Sequence, residues 1–196
     1  MTDCTQASFI ATEVTIYCSK KMTCCQREQG MKKTEAYNAS ANPLQIKGPG
    51  GVKPFTKIKA ASQKAARGRM RADMEKAKTR ADKVKVAKAH GANDCFAEEI
   101  ADGASYEMDH PVDVKWGGEA ALDHFVPLSP NVNNLFGQIT RNIGNQMHGQ
   151  STLEITSVMF SCPGPCSPNP PPSQDYSTGK RDFQGPHQIL FQSKVL

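Results

Sequence analysis

The segment SYEMDHPVDVKWGGEAALDHFVPLSPNVNNLFG, residues 105–137, carries the densest pattern in the chain and decides its predicted fold. Residues 111–116, which follow the pair Asp109–His110, alternate apolar and polar side chains as a strand does. The glycine pair Gly117–Gly118 then permits a tight reversal. A second extended run occupies residues 124–129. The pattern therefore predicts two strands that are joined by a turn.

A helix is predicted directly after the second extended run. Ser129 or Asn131 can cap its start, and Pro130 is favourable in its first turn. Apolar residues then recur at helical spacing, so that one face of the helix would be buried. These residues are Val132, Leu135, Phe136, Ile139 and Ile143. The predicted unit is strand, loop, strand, helix.

This unit would bring four polar side chains together if the strands pair and the helix folds back across them. The four are Asp109, His110, His124 and Asn133. An Asp-His pair, a glycine pair, a polar residue before an apolar run, and a helix that bears Asn together resemble the HNH nucleases, also called ββα-metal or His-Me fingers. The resemblance covers residues 105–150. The sequence PLSPNVNNLFG also resembles fingers in the C-terminal toxin domains of bacterial polymorphic effectors of the type VI secretion kind.

The resemblance implies a catalytic role for His110 and His124. His110 would be the general base that removes a proton from the attacking water, and an imidazole with a pKa of about 6.5 suits that task. Asp109 and Asn133 would hold a divalent cation, which stabilises the charge on the cleaved phosphate. Their oxygens favour Mg²⁺ or Mn²⁺, whereas a nearby imidazole would favour Zn²⁺ or Ni²⁺. His124 stands where the family usually has an Asn that orients the base.

The basic residues are concentrated before this unit. Residues 57–88 contain twelve lysines or arginines against three acidic residues, in a chain of net charge +5. Residues 56–90 are rich in helix formers, with Gly68 as the weak point, and predict one long helix. Its cationic face is either a solvated surface or a contact for a nucleic-acid backbone. The candidate contacts are Arg67, Arg71, Lys115 and Arg141.

The predicted fold class is α+β. Residues 1–55 form a cysteine-bearing segment and a Pro/Gly-rich linker. Residues 56–196 form the nuclease domain, with the basic helix 56–90, the finger core 105–150 and a pair of C-terminal strands within 151–196. Seven cysteines leave at least one thiol unpaired in an oxidised monomer. Cys162 and Cys166 are close enough to bridge or to supply two metal ligands.

We therefore expect a metal-dependent endonuclease, with DNA favoured over RNA on the resemblance alone. It would be the toxin of an antibacterial effector, with nucleic acid and an acidic immunity protein as partners. No run is long and apolar enough for a membrane span, and the N-terminus lacks a Sec signal. We expect delivery by a non-Sec apparatus into the cytoplasm of a target cell, or else a cytoplasmic protein. Two alternatives stay open: a non-catalytic nucleic-acid-binding protein, and an adaptor organised by zinc or disulfides.

Overall fold

The computed structural model describes residues 12–18, 22–40, 44–47, 55–113, 116, 124–146, 152–162, 164 and 166. The described residues form a mixed α+β fold, as predicted. In chain order the elements are β1 (Thr12–Tyr17), α1 (Cys24–Asn38), β2 (Leu44–Lys47), α2 (Phe55–Lys76), α3 (Arg80–Ala89), α4 (Asp94–Ala101), β3 (Glu107–Asp109), β4 (Val126–Leu128), α5 (Pro130–Gln146) and β5 (Thr152–Ser161). No helix among them is long and apolar enough to cross a membrane.

A three-stranded sheet has β5 at its centre. β1 runs parallel to β5 along one edge, and β2 runs antiparallel along the other. Beyond the residues of β5 that pair with β2, the side-chain amide of Asn38 exchanges two hydrogen bonds with the backbone of Val158, at 2.8 and 2.9 Å. We predicted that β5 pairs with residues 187–196, and those residues lie outside the described part of the chain. The sheet joins strands from both sides of the predicted boundary at residue 55.

One hydrophobic cluster lies between this sheet and α5. It contains the predicted apolar face of α5, and all five of its residues are buried, which confirms that prediction. Tyr37 and Trp116 complete the cluster, with their ring centroids 4.9 Å apart. The indole of Trp116 donates a hydrogen bond to the Thr140 hydroxyl at 2.6 Å. α1 packs closely on the sheet, since a Cβ at Gly30 would overlap the ring of Phe160.

The predicted long helix over residues 56–90 is wrong in one respect, because it is two helices. α2 ends at Lys76 and α3 begins at Arg80, while Gly68 lies inside α2. Thr79 caps α3: its hydroxyl accepts from the Asp82 amide at 3.1 Å, and the Asp82 carboxylate accepts from the Thr79 amide at 3.3 Å. This capping box satisfies amides that a continuous helix would have bonded, so it stabilises the break.

A second hydrophobic cluster is formed where α2, α3 and α4 pack against β3 and Phe125. Its most buried members are Ala66, Met70, Ala87, Phe96, Ala97 and Met108. His90 at the end of α3 lies back against α2, with its Nε2 3.1 Å from the Asp73 carboxylate. Packing in this cluster therefore holds the basic helices α2 and α3 on the side of β3 that faces the cluster.

Three disulfides connect the start of the chain to its later elements. They are Cys18–Cys162, Cys24–Cys166 and Cys25–Cys95. Cys162 and Cys166 do not bridge each other, because each is bonded to a cysteine of the N-terminal segment. Cys4, the seventh cysteine, lies outside the described residues. Since Cys24 and Cys25 open α1, this helix is covalently tied both to α4 and to the segment after β5.

Candidate active site

The strand, loop, strand, helix order is present in residues 107–146. β3 and β4 pair antiparallel, from Glu107 opposite Leu128 to Asp109 opposite Val126. α5 follows after Ser129, whose hydroxyl accepts from the third residue of the helix at 3.3 Å. The helix and its cap are thus as predicted.

The position of the first strand differs from the prediction. The strand precedes His110, whereas the sequence pattern placed it over residues 111–116. The described residues of that range, 111–113 and 116, are not in a strand. Pro111 has no amide hydrogen to donate to a partner strand, so strand pairing ends just before it.

Asp109 forms a buried ion pair with a lysine of α1. The Lys33 Nζ donates to the Asp109 Oδ2 at 2.7 Å and to the His110 backbone carbonyl at 2.9 Å. Only 2% of the Lys33 side chain and 4% of the Asp109 side chain are exposed. Lys33 was not among the predicted site residues. Its neighbour Lys32 is also a lysine but is 56% exposed, so residue type alone does not distinguish the buried lysine from the exposed one.

His110 is buried directly after β3, with 4% of its surface exposed. Its ring packs on Phe125 with a centroid distance of 4.3 Å. His124, which we predicted either to orient His110 or to approach the metal, is exposed. The residue that the fold places against the His110 ring is therefore the phenylalanine that follows His124.

Asn133 lies in the first turn of α5, beside β3. Its side-chain amide donates a hydrogen bond to the Glu107 carboxylate. Glu107 and Asp109 are two residues apart on β3, so their side chains leave the strand on the same face. Glu107 was not among the predicted site residues, although its i, i+2 spacing from Asp109 in a strand is a signal that could have found it.

The arrangement of these residues does not fit a divalent cation at Asp109. The Lys33 ammonium already lies 2.7 Å from the Asp109 Oδ2, one of the two oxygens through which the carboxylate would bind such an ion. Within the described ranges there is no group of three or more His, Cys, Asp or Glu side chains that could hold a metal. Cys162 and Cys166 are also bonded in disulfides, so their sulfurs are not available as zinc ligands.

Two of the predicted nucleic-acid contacts lie close to β3. Gln63 of α2 donates to the Met108 carbonyl at 2.9 Å, which fixes α2 against the strand. Arg67 and Arg71 follow Gln63 at intervals of four residues, so they continue the same face of the helix. Burial raises the pKa of Tyr106, just before β3, and the nearby charges of Arg67 and Arg71 oppose that rise.

The other two predicted contacts are less well connected to the site. Arg141 is exposed on α5, and its guanidinium donates to the Gly137 carbonyl one turn earlier at 3.2 Å. Lys115 lies outside the described residues. The structure therefore brings Arg67 and Arg71 together with β3 and leaves Arg141 as a solvent-facing residue of the helix.

The pKa of Tyr37 is affected by the negative charges around the site. Burial raises the pKa of its phenol well above the ordinary value, and the charges of Asp113 and Asp109 raise it further. The ring also lies under Lys33, whose Nζ is 5.6 Å from its centroid. Tyr37 is therefore a neutral phenol at the point where the apolar cluster meets the ion pair.

No protein-family model, curated protein or solved structure matches this chain.

Proposed function

We propose that this chain is an endonuclease that hydrolyses phosphodiester bonds in nucleic acid, with His110 as the general base. The observation that carries the proposal is the antiparallel pair β3–β4 followed at once by α5. This order puts Asp109–His110 at the end of one strand and Asn133 in the helix beside it. This order of elements supports the proposed ββα finger, and DNA is favoured over RNA on the resemblance to that family.

In this mechanism His110 accepts a proton from the water that attacks the phosphorus. Lys33 holds the His110 carbonyl and Phe125 packs on the ring, so backbone and side chain are both fixed. Because the ring is almost wholly buried, substrate binding must bring the water to it, and catalytic contacts are often loose before substrate binds. The dependence on Mg²⁺, Mn²⁺, Zn²⁺ or Ni²⁺ stays a prediction. The proton transfer described above involves only the water and the imidazole of His110.

Substrate binding is assigned to the cationic face of α2. Arg67 and Arg71 are exposed there, and α2 is hydrogen-bonded to β3 through Gln63. Contacts of this kind neutralise phosphates and release counterions, so affinity should fall steeply with salt. A role as an effector toxin, delivered into a target cell and blocked by an acidic immunity protein on this face, extends the proposal from the family resemblance.

A plasmid-nicking assay tests the proposal with Mg²⁺, Mn²⁺, Zn²⁺ or EDTA. His110→Ala should lower the nicking rate by about 100-fold or more, since general-base catalysis contributes that much. His90→Ala, in a histidine at the α2–α3 contact, is the matched control and should keep its activity. Circular dichroism and a gel shift should show that His110→Ala keeps its fold and its affinity. Full activity of His110→Ala would refute the assignment.

A second function, nucleic-acid binding without catalysis, is favoured by one observation. Asp109 is held in a buried ion pair and His110 is buried, as expected if both residues have only a structural role. In that case no metal would give nicking, while a salt-dependent gel shift would persist. Replacing Arg67 and Arg71 with alanine would weaken that shift and reduce its salt slope by about one for each lost phosphate contact.

A further inference from the structure

We propose that Lys33 is the built-in cation of the Asp109–His110 site, standing where a divalent ion would otherwise bind. Asp109 is then a positioning residue whose Oδ2 is bound by the lysine. The consequence for cleavage rests on the proposed function, whereas the statement about cation binding does not.

The contacts of the ammonium are those of a cation site. Its two oxygen partners are the Asp109 carboxylate at 2.7 Å and the His110 carbonyl at 2.9 Å. Carboxylates and backbone carbonyls are the ligands that hard divalent ions take in proteins. The rings of Tyr37 and Phe136 lie 5.6 and 5.4 Å from the same nitrogen, within the range of cation–π attraction. Lys33 therefore occupies the Asp109 Oδ2 and the His110 carbonyl, two oxygens that an ion bound between these residues would take.

Lys33 extends from α1, and other contacts fix the position of this helix. One turn earlier on α1, the Gln29 side-chain oxygen accepts from the Ser129 amide at 2.8 Å, where β4 passes into α5. Gln29 and Lys33 thus bind the ends of both strands of the β3–β4 pair. The two disulfides at the start of α1 hold the helix in this position. An ion that displaced Lys33 would have to move a buried charge on a fixed helix.

Two residues of opposite charge then fix the backbone of His110, whose ring packs on Phe125. The ammonium fixes the carbonyl of His110, and the carboxylate of the preceding residue fixes the ammonium. An ion that cleavage requires would bind away from Asp109, through the substrate phosphate or other ligands.

Mn²⁺ binding to the full chain with intact disulfides tests the proposal, by electron paramagnetic resonance and by paramagnetic broadening of backbone amides. Wild type and Asp109→Asn should bind Mn²⁺ equally within twofold, and Mn²⁺ should not selectively broaden the amides of Asp109 and His110. Lys33→Met should gain at least tenfold in Mn²⁺ affinity, and the gain should vanish in Lys33→Met/Asp109→Asn. Lys32→Met is the matched control and should gain nothing.

Three results would overturn the proposal: a tenfold loss of Mn²⁺ affinity in Asp109→Asn, selective broadening at residues 109 and 110 in wild type, or no gain in a folded Lys33→Met. If Lys33→Met does not fold, the wild-type broadening and the Asp109→Asn comparison decide. None of these measurements uses cleavage, so a failed nicking assay leaves them valid. Conversely, Mn²⁺ bound at Asp109 would refute the role of Lys33 and leave His110 as the proposed base.

Discussion

Removal of the Lys33 ammonium should be among the most damaging single changes in this protein. Lys33→Met keeps most of the side-chain volume but leaves the Asp109 carboxylate in a site where only 4% of it is exposed. Breaking one side of a buried ion pair costs about 3–5 kcal/mol of unfolding free energy. Domains of this size are stable by about 5–15 kcal/mol in total, so the loss is a large fraction.

The neighbouring lysine supplies the control. Lys32 is 56% exposed and lies 3.4 Å from Glu28, a surface pair of the kind worth about 0–1 kcal/mol. Lys32→Met should therefore change the unfolding free energy by less than about 1 kcal/mol. The double variant Lys33→Met/Asp109→Asn should recover part of the loss, because it also removes the buried charge that had lost the lysine.

Urea unfolding with the disulfides intact measures these differences. Trp116 is the single tryptophan of the chain and is fully buried in the cluster that contains Tyr37, so its fluorescence reports loss of that packing. The reasoning is refuted if Lys33→Met costs no more than Lys32→Met. It is also refuted if the losses of the two single variants simply add in the double variant.

Two further predictions concern the helical part of the fold. Gly91→Ala should cost more than about 2 kcal/mol, since Gly91 has φ +92° and its Cβ would lie 2.7 Å from Val126 Cγ1 on β4. Gly103→Ala, at φ +97° with open space, should cost only about 1 kcal/mol, and equal losses in urea unfolding would contradict the clash. A hydrogen bond from His90 is the main cause that lowers the pKa of Asp73. Asp73 therefore contributes stability above its unfolded pKa that is lost as the pH falls through the folded value. Asp73→Asn should flatten stability against pH below about pH 4, and an unchanged curve would argue against the pair.

Local signals were sufficient to predict α5 but not the elements around it. The cap at Ser129, the proline after it and the apolar spacing all lie within one short segment, and packing then buried the face that they define. β3 is three residues long, too short for an alternating pattern to locate it. The break between α2 and α3 had a local signal in Thr79 and Asp82, which the helix-forming composition of the flanking residues obscured.

The candidate site depends on contacts that no local signal encodes. Lys33 and Asp109 are 76 residues apart in the chain, and β1 pairs with a strand that begins at Thr152. Cysteine pairing cannot be deduced from spacing alone, and all three bonds here are long-range. Tertiary packing therefore decides which residues surround Asp109–His110, while the sequence pattern predicts only that the pair adjoins a strand, which it places after His110 instead of before it.

α1 shows how the fold achieves this placement without an apolar face. The helix has no apolar stripe, and its buried residues include Arg27, Gln29 and Lys33. Each of them forms hydrogen bonds to a distant part of the chain: the carbonyl of Gly164, the amide of Ser129, and the groups of Asp109–His110. A buried polar group is costly unless it is bonded, so sliding or rotating α1 would break all these contacts at once. The hydrophobic clusters supply stability on either side, whereas this polar face fixes the register of α1 against β3 and β4. Any activity of the Asp109–His110 pair therefore depends on a helix that the nuclease resemblance does not include.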